Sequence, residues 1–256
     1  VFPAPRNPEK ISIFVFIVKS RRHTTALLMH IILYILYPPS RALSRKEMRK
    51  MKILLVNGTP RDHGVTDRAL DEFRTVAEKE GVGTDTFWLG CSPVLSCIAC
   101  GLCKKSGRCF FDDGVNTLAR LSEDADGFVF ASPVHYAGAS GALKCAMGRL
   151  FYSSLSALTG KPAVALAVSR RGGNVAALSE IEKFFTFASM PVVSGNYWCI
   201  LHGTTREEAA RDEEGLQTLR IAARNLIFLK RAVALAKKSG VPLPEKEQKI
   251  RTYFIR

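Results

Sequence analysis

From Met51 onward, short apolar runs alternate with longer segments of helical periodicity, and no other feature constrains the fold of this 256-residue chain as strongly. Strands are predicted at 52–57, 84–89, 127–131 and 162–168, and a fifth strand begins at 191–193 and resumes at 197–201. Helices are predicted at 66–80, 114–124, 140–152 and 175–188, and a capping box at 205–208 introduces a last helix that runs to about residue 239. This alternation predicts an α/β fold, a doubly wound five-stranded parallel sheet with strand order 2-1-3-4-5 and helices on both faces.

Charge and patterning divide the chain into three parts. Residues 1–50 hold ten Lys and Arg against two acids, whereas the rest of the chain holds 27 against 21, so most of the net charge of +14 is N-terminal. We expect an N-terminal extension at 1–50, a domain at 51–240 with a cysteine-rich insert at 91–113, and a tail at 241–256. The mildly basic domain favours an anionic ligand and gives no reason to expect nucleic-acid binding.

The N-terminal extension contains two apolar runs, at 11–18 and 26–37. Both are shorter than the ~20 residues of a membrane-spanning helix, so no integral span is expected. Three interpretations stay open: an extension without function, a segment that binds a membrane surface or a partner, and a basic arm for nucleic acid.

Ligands of doubly wound sheets bind beyond the carboxyl ends of the strands, where the strand order reverses. The loop at 57–66 (NGTPRDHGVT) leads there from the first strand into a helix. Gly58 and Gly64 permit tight turns, Thr59 and Thr66 offer hydroxyls, Arg61 offers a cation, and the helix N-terminus supplies free N–H groups. These groups suit a phosphate monoester, although an ordinary strand-to-helix turn is the alternative. The spacing matches neither a P-loop nor a G-x-G-x-x-G dinucleotide loop.

Two further loops follow the third and fourth strands. The loop at 132–141 (SPVHYAGASG) combines proline, an aromatic ring and glycines, and is suited to line a flat ring such as an isoalloxazine. The loop at 169–174 (SRRGGN) offers glycines for close backbone approach and arginines that suit a nicotinamide cofactor's phosphate or form a solvated basic turn.

Four of the seven cysteines fall within thirteen residues in the spacing C-x2-C-x2-C-x5-C. This clustering favours metal ligation in a reducing, cytoplasmic compartment over a disulfide framework. The compact spacing suits an iron–sulfur cluster; zinc and free, reversibly oxidised thiols are the alternatives. The candidate ligands are Cys97, Cys100, Cys103 and Cys109. Asp112 and Asp113 are expected to cap the next helix.

The three loops and the cysteine spacing resemble the NADPH-dependent FMN reductase and iron–sulfur flavoprotein branch of the flavodoxin-like superfamily, over about residues 51–240. The resemblance implies an FMN phosphate site, a lining for the flavin ring, a wall on the ring's other side and a [4Fe–4S] cluster on the four cysteines. The implied phosphate residues are Thr59, Arg61, Gly64, Val65 and Thr66. The implied ring residues are Pro133, Val134, His135, Tyr136, Ala137 and Gly138, with Ser169, Arg170, Gly172 and Gly173 opposite. Val65 departs from the family, which often has Asn there.

The resemblance implies an FMN-dependent oxidoreductase that uses NADPH or NADH, as a flavin or quinone-type reductase or an iron–sulfur electron carrier. A small-molecule acceptor or a ferredoxin-like protein is the expected partner, and a homodimer or homotetramer the expected assembly. No residue pair has the spacing of an acid–base pair or triad, so no catalytic residue is assigned. The alternative is a non-catalytic flavodoxin-fold protein that senses redox state or binds a metal.

Overall fold

The computed structural model describes residues 51–242 and, within the C-terminal tail, 244–245, 247–248, 250 and 252. The extension at 1–50, with its apolar runs and basic residues, lies outside the described residues. The sheet and the helices, apart from the last residues of the final helix, fall within a unit that ends at Ala234. The described residues from Leu235 onward belong to a second unit, which contains the last residues of the final helix and tail positions without helix or strand.

The sheet is built on five parallel strands, and a sixth short strand pairs antiparallel with one of them. The strands are β1 (Lys52–Asn57), β2 (Gly83–Trp88), β3 (Gly127–His135), β4 (Gly138–Ala139), β5 (Ala163–Ser169) and β6 (Ile200–His202). The order is β2-β1-β3-β5-β6, with β4 beside β3. The parallel α/β architecture is therefore confirmed, and the reversal of strand order lies between β1 and β3.

The predicted five-stranded sheet is corrected in two places. β3 runs on past residue 131 to His135 and turns back into β4, because Val134 pairs with Ala139 and His135 with Gly138. The predicted strand at 191–193 forms only an isolated bridge from Val192 to Ala163, so the edge strand β6 is short.

Helices cover both faces of the sheet. They are α1 (Val65–Lys79), α2 (Cys103–Ser106), α3 (Gly114–Asp124), α4 (Gly141–Ser153), α5 (Leu155–Leu158), α6 (Asn174–Phe187), α7 (Arg206–Ala209) and α8 (Glu213–Lys238). The single last helix predicted from the capping box is in fact two helices. Thr205 caps the four-residue α7, which ends at Ala209, and α8 begins at Glu213. No helix among the described residues is long and apolar enough to cross a membrane.

Two apolar cores lie on the two faces of the sheet, and β1 contributes to both. Ile53 and Leu55 belong to one buried cluster, whereas Leu54 and Val56 belong to the other. This is the alternation of a strand whose side chains point to opposite faces, and a strand buried on both faces reads as the continuous apolar run seen in the sequence. β1 pairs in parallel with β3, from Ile53 opposite Gly127 to Asn57 opposite Ala131, so the carboxyl ends of these two strands lie together.

Candidate functional site

The loop after β1 is a tight, hydrogen-bonded turn. The backbone N–H of Thr59 donates to Asn57 Oδ1 at 3.2 Å, and that of Arg61 donates to Thr59 Oγ1 at 3.2 Å. The Trp88 indole N–H donates to the Thr59 carbonyl at 2.7 Å, which ties the turn to the end of β2. Thr59 and Thr66 are both buried, while Arg61 is exposed.

Helix α1 begins at this turn without a side-chain cap. Its N-cap residue is Gly64, which accepts no N–H through a side chain, whereas Asp113, Ser140 and Thr205 cap α3, α4 and α7 through side-chain oxygens. The first N–H groups of a helix have no intrahelical partner. At α1 they are therefore left as donors for an anion, beside Val65 and Thr66 of the first turn.

An acidic side chain in the same helical turn is neutralised. Asp67 Oδ1 is 2.7 Å from Arg74 Nη2, and Asp67 Oδ2 is 3.3 Å from Arg206 Nη1. Burial alone raises the pKa of Asp67, but the hydrogen bond and charge of Arg74, with contributions from His63 and Arg206, bring that pKa below its ordinary value. The carboxylate is thus paired and does not leave an uncompensated negative charge at the turn.

The second loop is a β-hairpin with a two-residue turn at Tyr136 and Ala137. Both residues have positive φ angles, 49° and 62°, the conformation that two-residue hairpin turns of the primed type require and that non-glycine residues adopt at a cost. Tyr136 is fully exposed. Glu180 of α6 accepts a 2.8 Å hydrogen bond from the Ala139 N–H, and a Cβ at Gly138 would lie 3.0 Å from Glu180 Oε2.

The third loop packs against the hairpin. A Cβ on Gly173 would lie 2.8 Å from Ala137 Cα and 2.9 Å from Val134 Cγ1, and Gly173 has a φ of 90°. The loop is anchored at its base, where Ser169 Oγ donates to Asn174 Oδ1 at 2.6 Å. Gly173 is also the N-cap residue of α6 and provides no side-chain cap.

The three predicted loops therefore meet at one edge of the sheet. The first loop is joined to β3, where Gly58 N–H donates to Ala131 O at 2.8 Å, and to the second loop, where Ser140 Oγ donates to Gly58 O at 2.8 Å. The second and third touch at Gly173. Pro133 and Val134 are half-buried in this group, while His135, Arg170 and Gly172 are exposed at its rim.

The cysteine segment connects β2 to α3 and carries the short helix α2. All seven cysteines are free thiols. The four predicted ligands, Cys97, Cys100, Cys103 and Cys109, line one small cavity of about 20 Å³ together with Arg149. Within the described residues, no group of three or more His, Cys, Asp or Glu side chains is placed to hold a single metal ion. What the four thiols share is the cavity.

The cavity brings the four thiols to one lining without distinguishing a cluster from zinc. A single zinc ion needs its thiolates at about 2.3 Å from one centre. An iron–sulfur cluster instead takes its thiolates on separate irons, so it needs four cysteines around one space rather than around one point.

Arg149 of α4 lies behind the cysteine segment, and sequence reasoning missed it. Its side chain is fully buried, and its guanidinium is paired with Asp113 through Nη1 at 2.5 Å and Nη2 at 2.8 Å. Burial raises the pKa of Asp113, but hydrogen bonds from Arg149 and from the Val115 N–H bring that pKa below its ordinary value. The signal in the sequence is an arginine among the apolar residues of α4, since arginine is almost never fully buried unless paired.

Comparison with solved structures shows a flavodoxin-like fold. A flavodoxin, WrbA-like protein from Agrobacterium tumefaciens superposes with a TM-score of 0.51 at 16% identity, covering 71% of this chain and 98% of the other. RosB, with a bound 8-demethyl-8-formylriboflavin-5′-phosphate intermediate, superposes with a TM-score of 0.54 at 17% identity, covering 80% and 92%.

Sequence comparison identifies the family. An iron–sulfur flavoprotein of Methanocaldococcus jannaschii is 32% identical over 180 residues, which are 66% of this chain and 92% of that protein. An iron–sulfur flavoprotein of Methanosarcina thermophila is 31% identical over 180 residues, 69% of this chain and 93% of that protein. The model of the NADPH-dependent FMN reductase family matches residues 51–205. By that match, over more than half of its length, the chain belongs to the NADPH-dependent FMN reductase family.

Proposed function

We propose that this flavin-dependent oxidoreductase binds FMN at the joined loops, takes electrons from NADPH or NADH, and carries a [4Fe–4S] cluster on Cys97, Cys100, Cys103 and Cys109. The observation that carries the proposal is the direct contact of the loops after β1, β3 and β5 at one sheet edge, where two helices begin without side-chain caps. FMN, when bound, supplies hydride acceptance from a nicotinamide and release of electrons one or two at a time.

The phosphate would be held by the first loop. The uncapped N–H groups of α1 and the hydroxyls of Thr59 and Thr66 are hydrogen-bond donors, and a helix N-terminus favours an anion. Arg61 adds an exposed cation, and the pairing of Asp67 limits repulsion of the phosphate. The missing Asn side chain at Val65 leaves its backbone N–H as the donor at that position.

The ring would be bounded by the other two loops. Backbone groups of 133–138 would meet its polar edge, and Tyr136 would provide an aromatic wall. The backbone at Ser169, Arg170, Gly172 and Gly173 would close the other side. Positive φ angles at Tyr136 and Ala137 support this role, because strained backbone is concentrated at functional sites.

The cysteine proposal is supported by the shared cavity and by the relatives, which are named iron–sulfur flavoproteins. A cluster and a flavin in one chain suit electron exchange with a ferredoxin-like protein, and the flavin alone suits a small-molecule acceptor. We propose a dimer or tetramer as the assembly.

The test is to purify the full chain anaerobically, reconstitute it with FMN, iron and sulfide, and quantify all three alongside the absorption spectrum. The proposal predicts bound FMN, a broad cluster absorbance and bleaching of the flavin bands by NADPH or NADH. A Cys97→Ser variant should lose iron and keep FMN, and a Cys145→Ser variant, outside the cavity, should keep both. Protein without flavin would overturn the proposal in favour of a non-catalytic redox-sensing protein, and flavin without iron would overturn the cluster alone.

A further inference from the structure

We propose that Arg149 is a positioning residue for the cysteine segment. Its side chain holds the two ends of the segment together and donates an N–H···S hydrogen bond to the Cys109 sulfur. That hydrogen bond raises the reduction potential of the cluster. This inference rests on the cluster that the proposed function places there.

Every N–H donor of the Arg149 guanidinium has a partner, and each partner is in or next to the cysteine segment. An arginine side chain carries five donors in a fixed planar fork. Two of them contact the Asp113 carboxylate, and Nη1 also lies 3.5 Å from the Leu95 carbonyl. Nη2 donates to the Phe111 carbonyl at 3.2 Å, and Nε donates to Cys109 Sγ at 3.2 Å.

These partners bracket the four cysteines. Leu95 precedes Cys97, and Phe111 follows Cys109, so one side chain holds both ends of the segment. Asn116 of α3 adds a second restraint at the same end, because its Oδ1 accepts from the Cys109 N–H at 2.9 Å. A loop closed in this way keeps its thiolates near one another before any cluster is assembled.

The charge of Arg149 is fixed and shielded from water. Its side chain is 0% exposed, Asp113 balances it, and it lies over the Phe111 ring at 5.0 Å. Buried guanidinium groups need such partners because an unpaired buried charge is costly. One N–H remains directed at sulfur in an environment of low dielectric constant, where hydrogen bonds are electrostatically stronger.

A hydrogen bond to a ligating sulfur stabilises the more negative, reduced state of a cluster. Hydrogen bonds to sulfur and solvent exposure are among the factors that set cluster potentials. Arg149 therefore favours reduction. Arg108 is the natural comparison, since it adjoins Cys109 in the chain but pairs with Asp112 in solvent, with 58% of its side chain exposed.

The test compares reconstituted Arg149→Met, Arg149→Lys and Arg108→Met with the parent protein by spectroscopic redox titration and by iron and FMN content. We expect Arg149→Met to shift the one-electron equilibrium toward the oxidised cluster at least tenfold, about 59 mV to more negative potential, with FMN content unchanged. Arg149→Lys keeps the charge but lacks the fork, so it should show an intermediate shift and lower iron content. Arg108→Met should shift the equilibrium less than Arg149→Met because solvent screens it.

Equal potentials for Arg149→Met and the parent protein would overturn the inference and leave the proposed function intact. A parent protein that cannot be loaded with iron would overturn both. Should the Arg149 variants fail to fold, the unmodified chain still decides the matter. With ¹⁵N-labelled arginine, electron–nuclear double resonance on the reduced cluster should show ¹⁵N coupling that persists in Arg108→Met, and absence of that coupling would overturn the inference.

Discussion

The hydroxyl of Ser140 donates a 2.8 Å hydrogen bond to the carbonyl oxygen of Gly58, and so joins the N-terminus of α4 to the turn that follows β1. Both groups are buried, and the same hydroxyl accepts from the Leu143 N–H at 3.3 Å. Since Arg149 lies on the same helix, α4 connects the proposed flavin loops with the cysteine segment.

Substitution of Gly58 by alanine should disrupt this junction. The added Cβ would lie 2.9 Å from both Ala131 O and Leu143 Cβ, and neither can move without shifting the sheet or α4. We expect a loss of about 1–3 kcal/mol in the free energy of unfolding, from overpacking, together with reduced FMN content. Gly148→Ala in α4 is the matched control. Its Cβ meets nothing within 4 Å, so a gain of up to about 1 kcal/mol is expected. Chemical denaturation of the two variants checks this, and equal stabilities would contradict it.

Tyr136→Gly should separate stability from flavin binding. Glycine adopts a positive φ without strain, and this gain offsets the greater freedom of glycine in the unfolded chain. The free energy of unfolding of the apoprotein should therefore be unchanged or higher by up to about 1 kcal/mol. FMN affinity should fall because the aromatic wall is lost. Ala137→Gly makes the same backbone change and keeps the ring, so its FMN affinity should stay near that of the parent. Fluorescence titration with FMN measures both, and an unchanged affinity for Tyr136→Gly would remove that ring from the site.

Asp67 makes stability depend on pH in acid. Its pKa is held below the ordinary 3.8, so the folded state binds this proton less readily than the unfolded state. The resulting stabilisation is fully present above the ordinary value and is lost as the pH falls through the lowered one. We expect Asp67→Asn to cost about 1–3 kcal/mol near neutral pH, by loss of charged hydrogen bonds to Arg74 and Arg206. The free energies of unfolding of the parent protein and of Asp67→Asn, measured by denaturation at several pH values, should converge in strong acid. A difference that stays constant across the pH range would contradict the pairing of Asp67.

Cys199 should be unreactive in the folded protein. Burial raises the pKa of its thiol to about 11, and only 4% of the residue is exposed. Because the thiolate is the nucleophile, iodoacetamide at mildly alkaline pH should modify the exposed Cys91, Cys97 and Cys100 of protein prepared without a cluster, and it should leave Cys199 intact until the protein is unfolded. Peptide mass mapping measures this, and early labelling of Cys199 would contradict its placement in the core.

The sequence was sufficient for the parallel sheet and the three loops because the local pattern determines them. A continuous apolar run such as 52–57 is typical of a strand buried on both faces, and glycines with threonines mark the turn after it. Strand β4 was not predicted, since two residues carry no periodicity and the turn at Tyr136 and Ala137 lacks the usual glycine or asparagine. The break between α7 and α8 was missed for a related reason: residues 210–212 (ARD) contain no helix breaker, and Asp212 ends the turn by accepting from the backbone of His202 and Gly215.

The cysteine site shows the limit of motif spacing. The spacing identified four candidate ligands, but not their relation to α4. Arg149 of that helix contacts Cys109 across a separation of 40 residues in the chain. A long-range contact of this kind depends on the packing of α3 against α4, which only the assembled fold specifies. The arginine among apolar positions was visible in the sequence, and its partner was not.

The central claim, that the uncapped start of α1 and the turn at Thr59 receive the phosphate of a flavin, is tested most directly by titrating the apoprotein with FMN and with riboflavin and following flavin fluorescence. The two ligands differ only in the phosphate. Charge-assisted hydrogen bonds contribute about 1.5–3 kcal/mol each, so FMN should bind at least tenfold more tightly than riboflavin. Thr66→Val should weaken the binding of FMN and leave the affinity for riboflavin unchanged. Equal affinities for the two flavins would contradict the account.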